Sequence, residues 1–187
     1  MATKIAVFAS GSGSNFQAIA ESIDRGELDA SIELVVTDKP GAYVVTRAKN
    51  FGIEVLELAP KGFENKAAYE AKIIEVLKEK NIEWVILAGY MRLIGETLLA
   101  AYENRIINIH PSLLPSFPGK DAIGQAMAHG VKVTGVTVHY VDAGMDTGKI
   151  IAQCAVDVVD GNREKTEEQI HKLEHLLYPK TLQQLFE

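Results

Sequence analysis

Apolar positions fall along the chain in short runs rich in β-branched residues, separated by stretches where they recur every three or four positions. The runs Lys4–Ala9, Ile32–Thr37, Ile53–Leu58, Trp84–Ala88 and Arg105–Ile109 predict strands. Helical spacing predicts helices over Asn15–Arg25, Tyr43–Phe51, Lys66–Lys80 and Gly95–Tyr102. In the third, Ala67, Ala71, Ile74 and Leu77 recur at helical spacing, with Glu and Lys on the other face. Strands this uniformly apolar need cover on both sides. The alternation therefore predicts an α/β layer fold around a parallel sheet.

The texture changes after Ile109. The segment HPSLLPSFPG carries three prolines in eight residues, which excludes a helix or a central strand. A short helix (Ala122–His129), a long strand (Val133–Val141), a Gly-rich turn (Asp142–Gly148) and a further strand (Lys149–Val156) follow. This spacing predicts an antiparallel strand pair attached to the parallel sheet. A final polar helix begins near Asn162 and is expected to be interrupted at Pro179. The whole reads as one domain, with ligands expected at the carboxyl ends of the parallel strands.

Composition narrows the function. Hydrophobic residues make up 47% and charged residues 24% of 187, an ordinary globular mixture that excludes a disordered or collagen-like chain. The net charge of −6 lacks the broad basic field of a nucleic-acid binder, leaving room only for a local pocket around one phosphate. Cys154 is the sole cysteine, set in the apolar run IIAQCAVDV; it reads as a small buried hydrophobe and points to a reducing compartment. Near the N-terminus only Ile5–Ala9 is continuously apolar, too short for a secretory signal or a membrane span of about 20 residues. A soluble, cytoplasmic protein with no membrane partner is expected. Nothing along the chain sets an oligomeric state.

Three segments carry chemistry. In AVFASGSGSNFQAI a strand runs into a Gly/Ser loop and a helix opens near Ser14 or Asn15. Backbone N–H groups and the helix dipole can converge there on an anion. Phe16 stands where a dinucleotide fingerprint needs its third Gly, and no Lys completes a Walker loop, so a monophosphate fits better. A plain strand–helix turn capped by Ser14 or Asn15 is the bland alternative.

In INIHPSLLP, Asn108 and His110 lie two apart and project to one face of an extended segment. Imidazole can trade protons near neutral pH and an amide can donate to a developing oxyanion. The prolines after them would hold the loop stiff. The third segment, GVTVHYVDAGMDTG, places Asp142 and Asp146 in the Gly-rich turn. A carboxylate near His110 would orient the ring and stabilise its cation. The turn is also compatible with a plain hairpin loop, and a spacing of 36 residues from His110 to Asp146 does not by itself bring the two together. No metal is expected: His171 and His175 form an i,i+4 pair, but neither HExxH nor a cysteine pair accompanies them, so a polar helix face is the simpler reading.

Taken together and in this order, the three segments resemble the phosphoribosylglycinamide formyltransferase family, over Lys4 to about Pro179. The resemblance implies a Rossmann-like, mostly parallel sheet and formyl transfer from 10-formyltetrahydrofolate, a co-substrate, to 5-phosphoribosylglycinamide. It implies a phosphate-binding half (about 1–100) and a folate and catalytic half (about 101–187). Asn108, His110 and Asp146 match the family's catalytic trio. Gly13, Ser14 and Asn15 match the loop that holds the nucleotide phosphate, and Glu174 matches the acid that contacts the glycinamide substrate. Met91, Arg92, Leu93 and Ile94 match the folate wall, to which Asn108 also contributes, and the family's basic folate contact falls on Lys66. A 10-formyltetrahydrofolate hydrolase is one rival, although such relatives tend to carry a second His where Pro111 stands. A non-catalytic Rossmann-type nucleotide module is another, with Asp38 as a ribose ligand, although it has no need of the trio.

Overall fold

Successive side chains of β1 (Thr3–Phe8) leave the sheet by opposite faces. Ile5 and Val7 enter one apolar core, Ala6 and Phe8 the other, and all four are completely buried. The computed structural model describes all 187 residues, Met1–Glu187. After β1 come α1 (Ser14–Asp24), β2 (Ala30–Thr37), α2 (Tyr43–Asn50), β3 (Val55–Glu57), α3 (Lys66–Glu79) and β4 (Trp84–Leu87). Then follow α4 (Glu96–Ala101), β5 (Ile106–His110), α5 (Ala122–His129), β6 (Val133–Tyr140), β7 (Ile150–Asp157) and α6 (Arg163–Phe186).

The seven strands lie in the order β3-β2-β1-β4-β5-β6-β7. The first five are parallel, and β6 pairs antiparallel with both β5 and β7. This is the predicted α/β sheet with its antiparallel C-terminal pair. The sheet runs unbroken from β4 to β5, so both halves of the chain share it. One face is covered by α1, α2, α5 and α6 through residues such as Phe16, Val44, Ile123 and Tyr178. The other is covered by α3 and α4 through Tyr69, Ile73, Leu77 and Leu98. Strand order reverses between β1 and β4, whose carboxyl ends open the crevice where such sheets bind ligands.

Two expectations are corrected. α6 is neither polar throughout nor interrupted at Pro179: it runs unbroken to Phe186 with Ile170, Glu174, Tyr178, Pro179 and Leu182 buried. An interior proline removes one helix hydrogen bond and crowds the preceding turn. Burial of the residues on either side of it, Tyr178, Thr181 and Leu182, in the core offsets that cost. Cys154 is only half-buried, because β7 is the outermost strand of the sheet. No helix is long and apolar enough to cross a membrane.

Tyr178 fastens α6 beneath the strand ends. Its hydroxyl faces the carbonyl oxygens of Leu87 (2.7 Å) and Ile107 (3.2 Å), and burial keeps the phenol protonated as their donor. Tyr178→Phe strips both carbonyls of this donor, so it is expected to cost about 1–3 kcal/mol. The check is a lower urea midpoint with an unchanged denaturant slope.

Candidate active site

Every predicted site residue except Lys66 lines one cavity of about 990 Å³ over the strand ends. That volume lies at the upper end for small-molecule sites and suits two ligands side by side. The Gly/Ser loop leaving β1 forms one side. α1 is capped at Gly13, whose φ of 78° is left-handed, and no side chain occupies the cap, so the first-turn amides keep no internal partner. The cap is therefore Gly13 rather than Ser14 or Asn15. A Cβ at Gly13 would stand 2.5 Å from Val44 Cγ2, so only glycine fits where α2 presses on the loop. Arg47 supports the loop from behind, donating to the Ser12 carbonyl at 2.7 Å.

Asn15 and Glu174 meet across this end, with Asn15 Nδ2 3.3 Å from Glu174 Oε2. Glu174 is 5% exposed and also accepts from His171 Nδ1 at 2.7 Å. That hydrogen bond raises the His171 pKa above its ordinary value. Asn15 Oδ1 is buried without any partner, a polar atom waiting for a donor. This end presents bare amides for an anion and a carboxylate and an amide oxygen for hydroxyl or amine hydrogens.

Met91, Arg92, Leu93 and Ile94 form the opposite side, just after β4. Met91 N donates to Ser10 Oγ (2.8 Å), and Ser10 Oγ donates to buried Asp38 (2.6 Å). At the other end of the segment the buried Glu70 carboxylate accepts from Gly95 N (2.7 Å) and Leu98 N (3.1 Å), capping α4. The wall is thus pinned at both ends, while Met91 and Leu93 stay 71% and 57% exposed as an apolar mouth. Lys66 lies outside the lining; it opens α3, with its side chain against Gly95.

At the centre stand the ends of β5 and the Asp142–Gly148 turn. Gly148 lets this turn close, since a Cβ there would stand 1.6 Å from the Tyr140 carbonyl oxygen. The turn brings Asp146 Oδ2 to 3.6 Å from His110 Nδ1 and to 2.8 Å from Gly119 N, which donates to it. His110 Nε2 faces the Phe117 carbonyl at 2.9 Å; that oxygen can only accept, so Nε2 carries a hydrogen and Nδ1 is the ring atom turned to Asp146. The proline-rich loop holding Phe117 is fixed by Thr137, which donates to the Ser112 carbonyl (2.7 Å), and by Gln153, which donates to the Leu114 carbonyl (2.9 Å). Asn108 Nδ2 lies 3.3 Å from His139 Nε2.

The formyl transferase family model matches residues 3–182. The phosphoribosylglycinamide formyltransferase of Bacillus subtilis (strain 168) is 57% identical over 183 residues, covering 97% of this chain and 94% of the relative. The chain belongs to the phosphoribosylglycinamide formyltransferase family. Solved structures agree. Glycinamide ribonucleotide transformylase 1 from Geobacillus kaustophilus superposes with a TM-score of 0.97 at 56% identity, each chain fully covered. Phosphoribosylglycinamide formyltransferase from Bacillus halodurans gives 0.96 at 55% identity, covering 98% of this chain and 95% of that one.

Within this formyltransferase site, sequence reasoning missed Ser10, Glu70, Thr137, Gln153 and His139. All hydrogen-bond to other residues. Ser10, Thr137 and His139 stood in motifs already singled out, and Thr137 and His139 alternate onto one face of β6.

Proposed function

We propose that Asn108, His110 and Asp146 carry formyl transfer from 10-formyltetrahydrofolate to the amine of 5-phosphoribosylglycinamide, a step of de novo purine biosynthesis. The observation that supports this most is their convergence between two unlike walls, one of bare amides and one apolar. The nucleotide phosphate fits Gly13, Ser14 and Asn15, where loop amides and the helix dipole favour an anion. Glu174 and the partnerless Asn15 Oδ1 suit the substrate's hydroxyl and amine hydrogens. A flat, largely apolar pterin with polar edges suits Met91, Leu93 and Ile94, with backbone groups and Asn108 for its edges and Arg92 for the anionic glutamate. Lys66, at the outer end of this wall, is a further cation for that glutamate. The surroundings proposed are cytoplasmic, with small molecules rather than nucleic acid or membrane as partners.

The chemistry follows from charge. The amine lone pair forms a bond to the formyl carbon, and the carbonyl π pair moves onto oxygen. An N–H of Asn108 and the Nδ1–H of charged His110 stabilise that oxyanion. Asp146, through a water, takes the proton from the attacking nitrogen and returns it to N10 of the folate as the C–N10 bond breaks. One oxyanion donor is worth about 3–4 kcal/mol of barrier. Holding two substrates in register supplies much of the rest.

The test is folate release from 10-formyltetrahydrofolate with and without the glycinamide nucleotide. Amine-dependent release is expected. Amine-independent release would identify a hydrolase, and none a binding module. Against the module stands Asp38, which is buried and bonded to Ser10 rather than presented to a ribose.

Gly13→Ala tests the loop. The new Cβ must move Val44 or the loop, in a backbone conformation that costs an alanine about 1–2 kcal/mol. The KM for the nucleotide is expected to rise about tenfold or more, while the KM for folate stays nearly constant. Equal loss of both in steady-state kinetics would mean general unfolding instead.

A further inference from the structure

We infer that His139 is a positioning residue whose bare Nε2 fixes the carboxamide of Asn108 in its catalytic orientation. The inference rests on the formyl-transfer reading above and adds a residue to it. His139 lies on β6 directly opposite Asn108 in the antiparallel ladder with β5 and is only 2% exposed. Its Nδ1 is 2.9 Å from the Tyr140 carbonyl oxygen, which accepts but cannot donate, so Nδ1 carries the hydrogen. In the neutral ring Nε2 is then a lone pair, 3.3 Å from Asn108 Nδ2. Only an N–H makes a hydrogen bond there; turning the amide over would set its carbonyl oxygen against that lone pair.

One Asn108 N–H is thus committed to His139, and the second N–H of the same nitrogen is left for the cavity. An asparagine free to flip would offer the oxyanion an oxygen as often as a hydrogen. The surroundings keep the ring uncharged. Burial opposes a charge most strongly and His110 adds to it. The Tyr140 carbonyl on Nδ1, Asp146, whose Oδ1 is 4.0 Å from Nε2, and Asp142 favour one, and the balance lowers the pKa below its ordinary value. The two histidines therefore divide the work. His110 turns Nδ1 to the Asp146 carboxylate, and His139 turns a bare Nε2 to Asn108.

The test is a double-variant cycle on the whole protein, assayed with 10-formyltetrahydrofolate and the glycinamide nucleotide. His139→Leu keeps the bulk and loses the acceptor; His139→Gln places an amide oxygen near the position of Nε2. We expect His139→Leu to lower kcat about tenfold or more, with both KM values within about twofold. His139→Gln should recover most of that loss. In an Asn108→Ala background neither change should lower kcat further, because the group being oriented is gone. Equal losses in both backgrounds would overturn the inference, as would unchanged activity of His139→Leu. If the leucine variant does not fold, the glutamine variant in the two backgrounds and the imidazole 15N shifts of the parent decide. A bare Nε2 with a protonated Nδ1 at neutral pH is required, and a protonated Nε2 would sink it. If the parent transfers no formyl group at all, the functional reading fails, while the nitrogen shifts still report on the tautomer.

Discussion

Asp146→Asn is expected to lower kcat by at least about a hundredfold while leaving the fold and both KM values nearly intact. The substitution isolates charge from shape. Asp146 adopts φ 56°, a left-handed conformation that asparagine accepts at least as readily as aspartate. The Gly119 N–H that donates to Asp146 Oδ2 at 2.8 Å can be met equally by an amide oxygen, so the turn keeps its anchor. What disappears is the carboxylate 3.6 Å from His110 Nδ1. Without it, protonation of the ring loses its nearest counter-charge, and the proton leaving the amine loses its acceptor. An amide cannot take up that proton at any working pH. Stopped-flow or steady-state turnover at saturating substrates, beside a circular-dichroism melt, checks both halves of the expectation. A near-normal kcat in a folded variant would remove Asp146 from the mechanism.

How far the sequence alone reaches follows from the range of each interaction. β1 announces itself because five consecutive apolar residues, Ile5–Ala9, must be covered on both faces. The same local logic finds α3 from its spacing and the loop after β1 from its glycines. His110 and Asn108 share a strand, so period two alone puts them together. Asp146 is different: it reaches His110 only because β6 folds back antiparallel on β5 and Gly148 closes the turn, and neither register nor closure is written locally. Pro179 misleads for the converse reason. Its local penalty is real, but the burial of Tyr178 and Leu182 beside it is a property of the packed molecule. Ser10, Glu70 and His139 escape notice because each acts through a partner at least 25 residues away. Their residue types carry no signal until that partner is in place.

His110→Ala should reduce kcat by a similar factor, at least about a hundredfold, and the double variant with Asp146→Asn should be worse than either alone but well short of the product of the two losses. The imidazole supplies one donor to the oxyanion, and the carboxylate serves that donor as well as the amine proton, so the two losses overlap in part. The fold tolerates the change. His110 Nε2 donates to the Phe117 carbonyl. Without it that oxygen keeps only a share of the Ser112 hydroxyl hydrogen (3.2 Å), which bonds more closely to the Ser116 carbonyl (2.6 Å), and water from the cavity can supply the missing donor. The loop itself remains tied down by Thr137 and Gln153. The vacated space opens onto the cavity, where water can fill it, so added imidazole should restore a concentration-dependent part of the rate. Multiplicative losses in the double variant, about ten-thousandfold or more, would show instead that His110 and Asp146 serve separate steps. In that case the carboxylate would act on the amine proton alone, and the oxyanion would be held by the imidazole without its help.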